Sequence, residues 1–98
     1  MSQPGTKPFD VQHNPAESRF ELVVDGHLAM AEYRREGGQV VFTHTFVPPE
    51  LRGRGLAEKL VRAALAWARA ERLQIRPACS YVAAFIERHP EYRTLLGD

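Results

Sequence analysis

The chain has a single cysteine in 98 residues, so it can form no internal disulfide, and this suits a reducing compartment. No apolar run approaches the roughly 20 residues that a membrane-spanning helix requires. The opening stretch M-S-Q-P-G-T-K-P lacks the apolar core of a signal peptide, and a cytoplasmic location is the expectation. There is no excess of either charge. Thirteen Lys and Arg against twelve Asp and Glu leave +1, too weak a field to imply a nucleic-acid or membrane partner. No Cys/His cluster has metal-ligand spacing, so no metal is expected. A nucleophile elbow is also missing. The one glycine-rich run is followed by no Gly-Lys-Ser/Thr, which excludes a Walker loop, and it carries only Gly53 and Gly55, which excludes a dinucleotide fingerprint.

What is present fits one small domain with an ordinary apolar content. Residues 1–17 read as a flexible tail and 18–98 as the folded unit, without repeats or internal linkers. Arg19–Val24 has the pattern of a strand, and Asp25-Gly26 is a hairpin signal. His27–Arg35 lies between that turn and Gly37-Gly38, which makes it the middle strand of a meander. Gln39–Val47 is dense in β-branched and aromatic residues, and Pro48-Pro49 ends it. From Leu56 to about Arg72, Leu56, Leu60, Val61, Ala64, Leu65, Trp67 and Ala68 recur at helical spacing. Leu73–Pro77 is a short strand placed as a parallel crossover partner of Gln39–Val47. A second helix is expected over Ser80–Arg88, with Ser80 as its N-cap. The tail after His89-Pro90 offers one more turn that packs Tyr92 and Leu95. The order is β-β-β-α-β-α, an α+β domain with one parallel strand pair.

Between the third strand and the first helix lies Val47–Ala57, V-P-P-E-L-R-G-R-G-L-A. Strand, glycine-rich turn and helix in that order form an anion cradle. The glycines let the backbone approach a ligand closely. The first helical amides have no intrahelical acceptor and point outward with the positive end of the helix dipole behind them. A pyrophosphate is the natural guest.

The run resembles the R/Q-x-x-G-x-G/A signature of the GCN5-related N-acetyltransferases. Arg52, Gly55 and Ala57 fill the fixed slots, and Val47 and Pro49 match the V-x-P-x-x-R lead-in. The pieces P-A-C-S-Y-V and R-H-P-E-Y resemble more narrowly the small single-domain members of that superfamily. The resemblance spans about Phe20–Leu95 and implies a shortened acetyltransferase fold, because no room exists between Val24 and His27 for the two helices that larger members carry there. It implies acetyl-CoA as cosubstrate, an amine as acceptor, and loop amides that hold the pyrophosphate.

Carried over residue by residue, the resemblance gives Thr45, Phe46 and Val47 the pantetheine and thioester carbonyl. It gives the backbones of Gly53, Arg54, Gly55, Leu56 and Ala57 the pyrophosphate, with Arg52 and Arg54 as further phosphate contacts and Ser80 beside them. Pro48 has no amide, so the donor that polarises the carbonyl lies before it. Where many members carry a tyrosine acid, alignment of Ser80 and Ala83 puts Glu87. Cys79, at the start of the second helix where a thiolate is favoured, becomes the candidate nucleophile or proton donor, with Tyr81 as the substitute acid. His44 shares strand parity with Phe42 and Phe46 and reads as a hydrogen-bonded core histidine. Glu50 reads as a solvated loop carboxylate at the mouth of the cleft. Two functions follow: transfer of acetyl to an amine, or a non-catalytic module that binds CoA or acyl-CoA.

Overall fold

A computed structural model describes residues 10–97. Five strands form one sheet in sequential order: β1 (Gln12–Asn14), β2 (Arg19–Val24), β3 (His27–Glu36), β4 (Gln39–Phe46) and β5 (Gln74–Pro77). The first three pairings are antiparallel, and β4 and β5 run parallel from Gln39 opposite Gln74 to Phe42 opposite Pro77. Helix α1 (Leu56–Ala70) connects β4 to β5, and α2 (Ser80–Arg88) follows β5. The predicted elements are therefore all present, with small changes at their ends. Helix α1 stops before Arg72, which takes a left-handed conformation (φ 58°) and turns the chain into β5. Ser80 is the first residue of α2, whereas the N-cap position belongs to Cys79, which makes no side-chain capping bond. A short 3-10 segment, Pro90–Leu95, follows α2 and buries Leu95.

Part of the expected tail is structured. Gln12–Asn14 pairs with β2, and Pro15–Glu17 forms a 3-10 turn whose Glu17 amide is capped by the Asn14 side chain. Residues 1–9 lie outside the described residues. The strand holds because His13 brings apolar area with it. Its ring stacks on Phe20 at 4.1 Å and meets Trp67 at 4.8 Å, while Nε2 lies 2.6 Å from the Tyr33 hydroxyl.

The hairpin turn between β2 and β3 has positive φ at both Asp25 (51°) and Gly26 (78°), the pair of left-handed conformations that a two-residue I′ turn needs. Side chains of one sheet face, among them Phe20, Leu22, Ala29, Ala31, Tyr33, Val40 and Phe42, form a single core with the buried stripes of both helices. In α1 that stripe is Leu56, Leu60, Val61, Ala64, Leu65 and Ala68, and in α2 it is Val82, Phe85 and Ile86.

One irregularity in β4 changes the outcome for the site. Tyr33 stands opposite Phe42, but Glu32 stands opposite His44, so Thr43 is an extra residue in a β-bulge. A bulge reverses the in-out alternation beyond it. Thr45, opposite core residue Ala31, therefore faces the helices, whereas His44 and Phe46, opposite Glu32 and Met30, face the other side. His44 is exposed and Phe46 is 39% exposed. The expected core histidine is thus overturned: continuous parity from Phe42 would have buried it, and the inserted residue turns it outward.

Candidate active site

The two parallel strands part after Phe42. Their last link is the Cys79 amide, which donates to the Phe42 carbonyl at 2.8 Å; β4 continues to Phe46 while the other chain turns into α2. A gap therefore opens in the plane of the sheet, with β4 residues 43–46 on one side and the start of α2 on the other.

At the far end of β4 the chain enters the glycine-rich loop. Pro49–Leu51 makes a 3-10 turn, closed by Leu51 N–H to the Pro48 carbonyl at 2.9 Å, and buried Leu51 anchors it. Arg52 Nε donates to the Val47 carbonyl at 2.9 Å and so ties the two ends of the turn together. Gly53 (φ 82°) and Gly55 (φ 73°) are both left-handed, a conformation that side-chain-bearing residues avoid by about 1–2 kcal/mol. This double reversal delivers the chain into α1.

The first helical bond of α1 is donated by Lys59 to the Gly55 carbonyl. The Arg52 amide is occupied by the Pro49 carbonyl. Among the described residues, the amides of Gly53, Arg54, Gly55, Leu56, Ala57 and Glu58 meet no acceptor. A cavity of about 200 Å³ lies here, bounded by Val47, Leu51, Arg52, Gly53, Gly55, Leu56, Ala57, Glu58 and Tyr81. A second, larger cavity of about 530 Å³ at the outer edge of β5 shares no residue with it. Of the two, the smaller is lined by unpartnered amides at a helix start, which makes it the candidate anion site. Glu58 is the one carboxylate on its wall, and Arg62 holds it at 2.9 Å, which keeps its carboxyl below the usual range and balances its charge.

The candidate residues fall into two groups. Val47, Arg52, Gly53, Gly55, Leu56, Ala57 and Tyr81 converge on this cavity. Thr45 and Cys79 meet across the gap, with Oγ1 and Sγ 3.6 Å apart. Cys79 is half-buried. Burial pushes its thiol up, but the Thr45 hydroxyl and the backbone amides of Val82, Tyr81 and Thr45 outweigh this, and its acidity shifts down from the ordinary thiol value. The Thr45 amide thus points into the gap. By strand alternation the Phe46 backbone turns instead toward β3, opposite Met30. Arg54 leans on the β2–β3 turn, 4.0 Å from Asp25 and 3.5 Å from the Glu50 carbonyl. His27, 3.9 Å from Glu50, is a neighbour that sequence reasoning passed over. Ser80 is exposed beside Cys79, and Glu87 is exposed further along α2, outside the lining of the loop cavity. The wall contributions of Leu51 and Glu58 also went unnoticed, although their place within and just after the motif could have suggested them.

An open parallel strand pair, a glycine turn with unpartnered amides and an α1 that starts at that turn define an acyltransferase-type fold. Comparison with known proteins gives the family. The family model described as GCN5-related N-acetyl-transferase matches residues 19–95. The chain belongs to the GCN5-related N-acetyltransferase family. It is 33% identical over 86 residues to Protein NATD1 of Bos taurus, covering 85% of this chain and 76% of that one. Protein NATD1 of Gallus gallus is 31% identical, with 85% and 78% covered. Among solved structures, a GCN5-like protein of Staphylococcus aureus determined by NMR in solution superposes with a TM-score of 0.74 at 26% identity, covering 94% of this chain and 91% of that one. Among the described residues, no helix is long and apolar enough to cross a membrane.

Proposed function

We infer that this chain is an acetyl-CoA-dependent N-acetyltransferase of cytoplasmic location, with residues 18–98 as its acetyltransferase domain. The observation that carries the reading is the set of unpartnered amides from Gly53 to Glu58 around a cavity at the start of α1. In the free protein these largely exposed amides are left to water, and an anion with several oxygens replaces that water and completes them together. A diphosphate does so, and the helix dipole adds to the attraction. Arg52 has committed only Nε to the Val47 carbonyl, and its remaining N–H groups reach toward the same anion, with Arg54 as a weaker second contact.

From that anchor the pantetheine arm lies in the gap beside β4, where the Thr45 and Val47 backbones take the place of a missing strand. The Thr45 amide, which points into the gap, polarises the thioester carbonyl and stabilises the oxyanion. Cys79 faces the same point and returns a proton to the departing thiolate, or takes the acetyl group itself as a thioester in the two-step variant. Tyr81 stands next to it as the alternative acid, and Ser80 borders the arm.

Isothermal titration with CoA tests the reading, with 3′-dephospho-CoA and pantetheine as comparisons. Both nucleotides should bind and pantetheine should bind far more weakly. Lack of CoA binding up to millimolar concentration would end the proposal. The alternative of a non-catalytic acyl-CoA module draws on the two-residue β2–β3 turn, which leaves no helices over the acceptor side. Binding with no thioester consumption across a panel of amines would favour it.

A further inference from the structure

Glu58 occupies the third position of α1, counted from Leu56. An acidic side chain at that position ordinarily reaches back to the helix start and caps an amide there. Among the described residues, no side chain caps α1 at Gly55. The Glu58 carboxylate is instead turned onward along the helix, where Arg62 Nε donates to Oε2 at 2.9 Å. Among the described residues, the amides of Gly55, Leu56 and Ala57 therefore keep no protein acceptor. Glu58 nevertheless lines the same cavity as Gly55, Leu56 and Ala57. A carboxylate of the protein thus stands beside an anion cradle and does not enter it.

Arg62 is itself held by α2 and by the segment Pro90–Leu95. Nη1 donates to the Tyr92 hydroxyl at 3.5 Å, and the guanidinium lies over the Phe85 ring, 5.2 Å from its centroid. Phe85 is fully buried. Tyr92 is also held by Arg69, whose guanidinium lies 5.3 Å from the ring centroid and donates to the Glu91 carbonyl at 3.1 Å. Phe85, Arg62 and Tyr92 lie outside the lining of the loop cavity. As an exposed pair one helical turn apart, Glu58 and Arg62 add little stability. Their effect is directional: the anchored guanidinium sets where the carboxylate lies.

Resting on the acetyl-transfer reading above, we propose that Arg62 is a positioning residue that keeps the phosphate cradle open by holding Glu58 off the amides of its own helix. Without the arginine, the carboxylate turns back toward Gly55, Leu56 and Ala57 and takes the place of the diphosphate. The positive end of α1 attracts either anion. An incoming cofactor then has to displace the carboxylate, and its apparent affinity falls with the fraction of molecules whose cradle is free. The segment after α2 acts on the site through the same chain of contacts. Tyr92 and Phe85 hold Arg62, Arg62 holds Glu58, and Glu58 leaves the amides to the ligand.

The test compares the full-length wild type, Arg62→Met, Glu58→Ala and the double variant by calorimetric titration with CoA. Methionine keeps an apolar stem against Phe85 and removes the charge. Arg62→Met should weaken CoA about tenfold, the competition expected from a capping interaction of ordinary strength. Glu58→Ala alone should tighten CoA a few-fold, because a like charge leaves the cavity wall. Glu58→Ala in the Arg62→Met background should recover most of the loss. An arginine that only touched the ligand or propped the fold would leave the double variant as weak as Arg62→Met. Arg62→Lys, which keeps a cation near Glu58, should lose less than Arg62→Met. In NMR spectra without ligand, acid titration of Arg62→Met should move the Gly55, Leu56 and Ala57 amide signals together with the Glu58 carboxyl, and the double variant should lack that movement. Wild-type CoA affinity in Arg62→Met, a double variant no better than Arg62→Met, or amide signals that ignore the carboxyl would each overturn the proposal. Failure of CoA to bind the wild type would instead strike the acetyl-transfer reading, and the ligand-free spectra would still decide whether Arg62 positions Glu58.

Discussion

Gly55 provides a test in which stability and ligand binding separate. It caps α1 with φ 73°, and a Cβ built there meets no atom within 4 Å. Gly37, in the β3–β4 hairpin, has φ 61° and is equally open. Alanine at either position carries only the left-handed penalty of about 1–2 kcal/mol, partly offset by the stiffer unfolded chain, about 0.4–1 kcal/mol. The net loss is about 1 kcal/mol for each, equivalent to a fall of roughly 4–8 °C in Tm for a domain of this size. Ligand binding should distinguish them. Gly55 lies between unpartnered amides that converge on one cavity, and a methyl group or a relaxed φ there moves those amides off their target. CoA affinity should drop at least tenfold in Gly55→Ala, about 1.4 kcal/mol, and stay at the wild-type value in Gly37→Ala. Thermal unfolding followed by circular dichroism, together with calorimetric titration, measures both quantities. If the two variants lose equal stability and bind CoA alike, the loop is only a turn and the cradle argument fails.

Thr45→Val removes the hydroxyl that outweighs part of the burial at Cys79, so the thiol should become less acidic; the pH dependence of alkylation by iodoacetamide, shifted upward, checks this. Burial lowers the pKa of His13 below the ordinary imidazole value, so the unfolded chain binds its proton more readily. The stability from the His13 contacts is therefore complete above the unfolded value of about 6.5 and is lost as pH falls through it toward the depressed folded value. Urea unfolding at a series of pH values should show that loss in the wild type and a flatter acid side in His13→Phe. Leu60→Ala, at a fully buried position of α1, should cost about 2–5 kcal/mol and bring down the whole domain, read as a lower denaturant midpoint.

The arrangement explains how a short chain can build both the glycine loop and the gap between β4 and α2. The loop depends on local features: a proline-closed turn, two left-handed glycines and a helix that starts immediately after them. Its support is the α1 stripe, which docks on the same sheet face as α2. Cys79 reaches its place through one backbone bond to Phe42, which joins the start of α2 to the last paired residue of β4. Nothing between β2 and β3 exceeds a two-residue turn, so no helix from that connection covers the sheet.

Read alone, the amino-acid order determined the elements, their succession and the glycine turn within Val47–Ala57, because helical spacing, hairpin dipeptides and glycine turns act over a few residues. It placed Cys79 at the head of α2 for the same reason. Tertiary structure decided which way β4 presents its side chains. The run Val40-Val41-Phe42 followed by Thr43-His44 breaks simple alternation, but whether that marks a bulge depends on how β3 registers against it, and the register is set by the shared core. Hence Phe46 and His44 face outward while Thr45 faces Cys79. The strand Gln12–Asn14 was equally hidden, since three polar residues earn no strand assignment until Phe20, Tyr33 and Trp67 gather around His13. Tyr81 reaches the loop cavity only because α2 packs beside α1 on one face, a contact between segments more than twenty residues apart that no local pattern encodes.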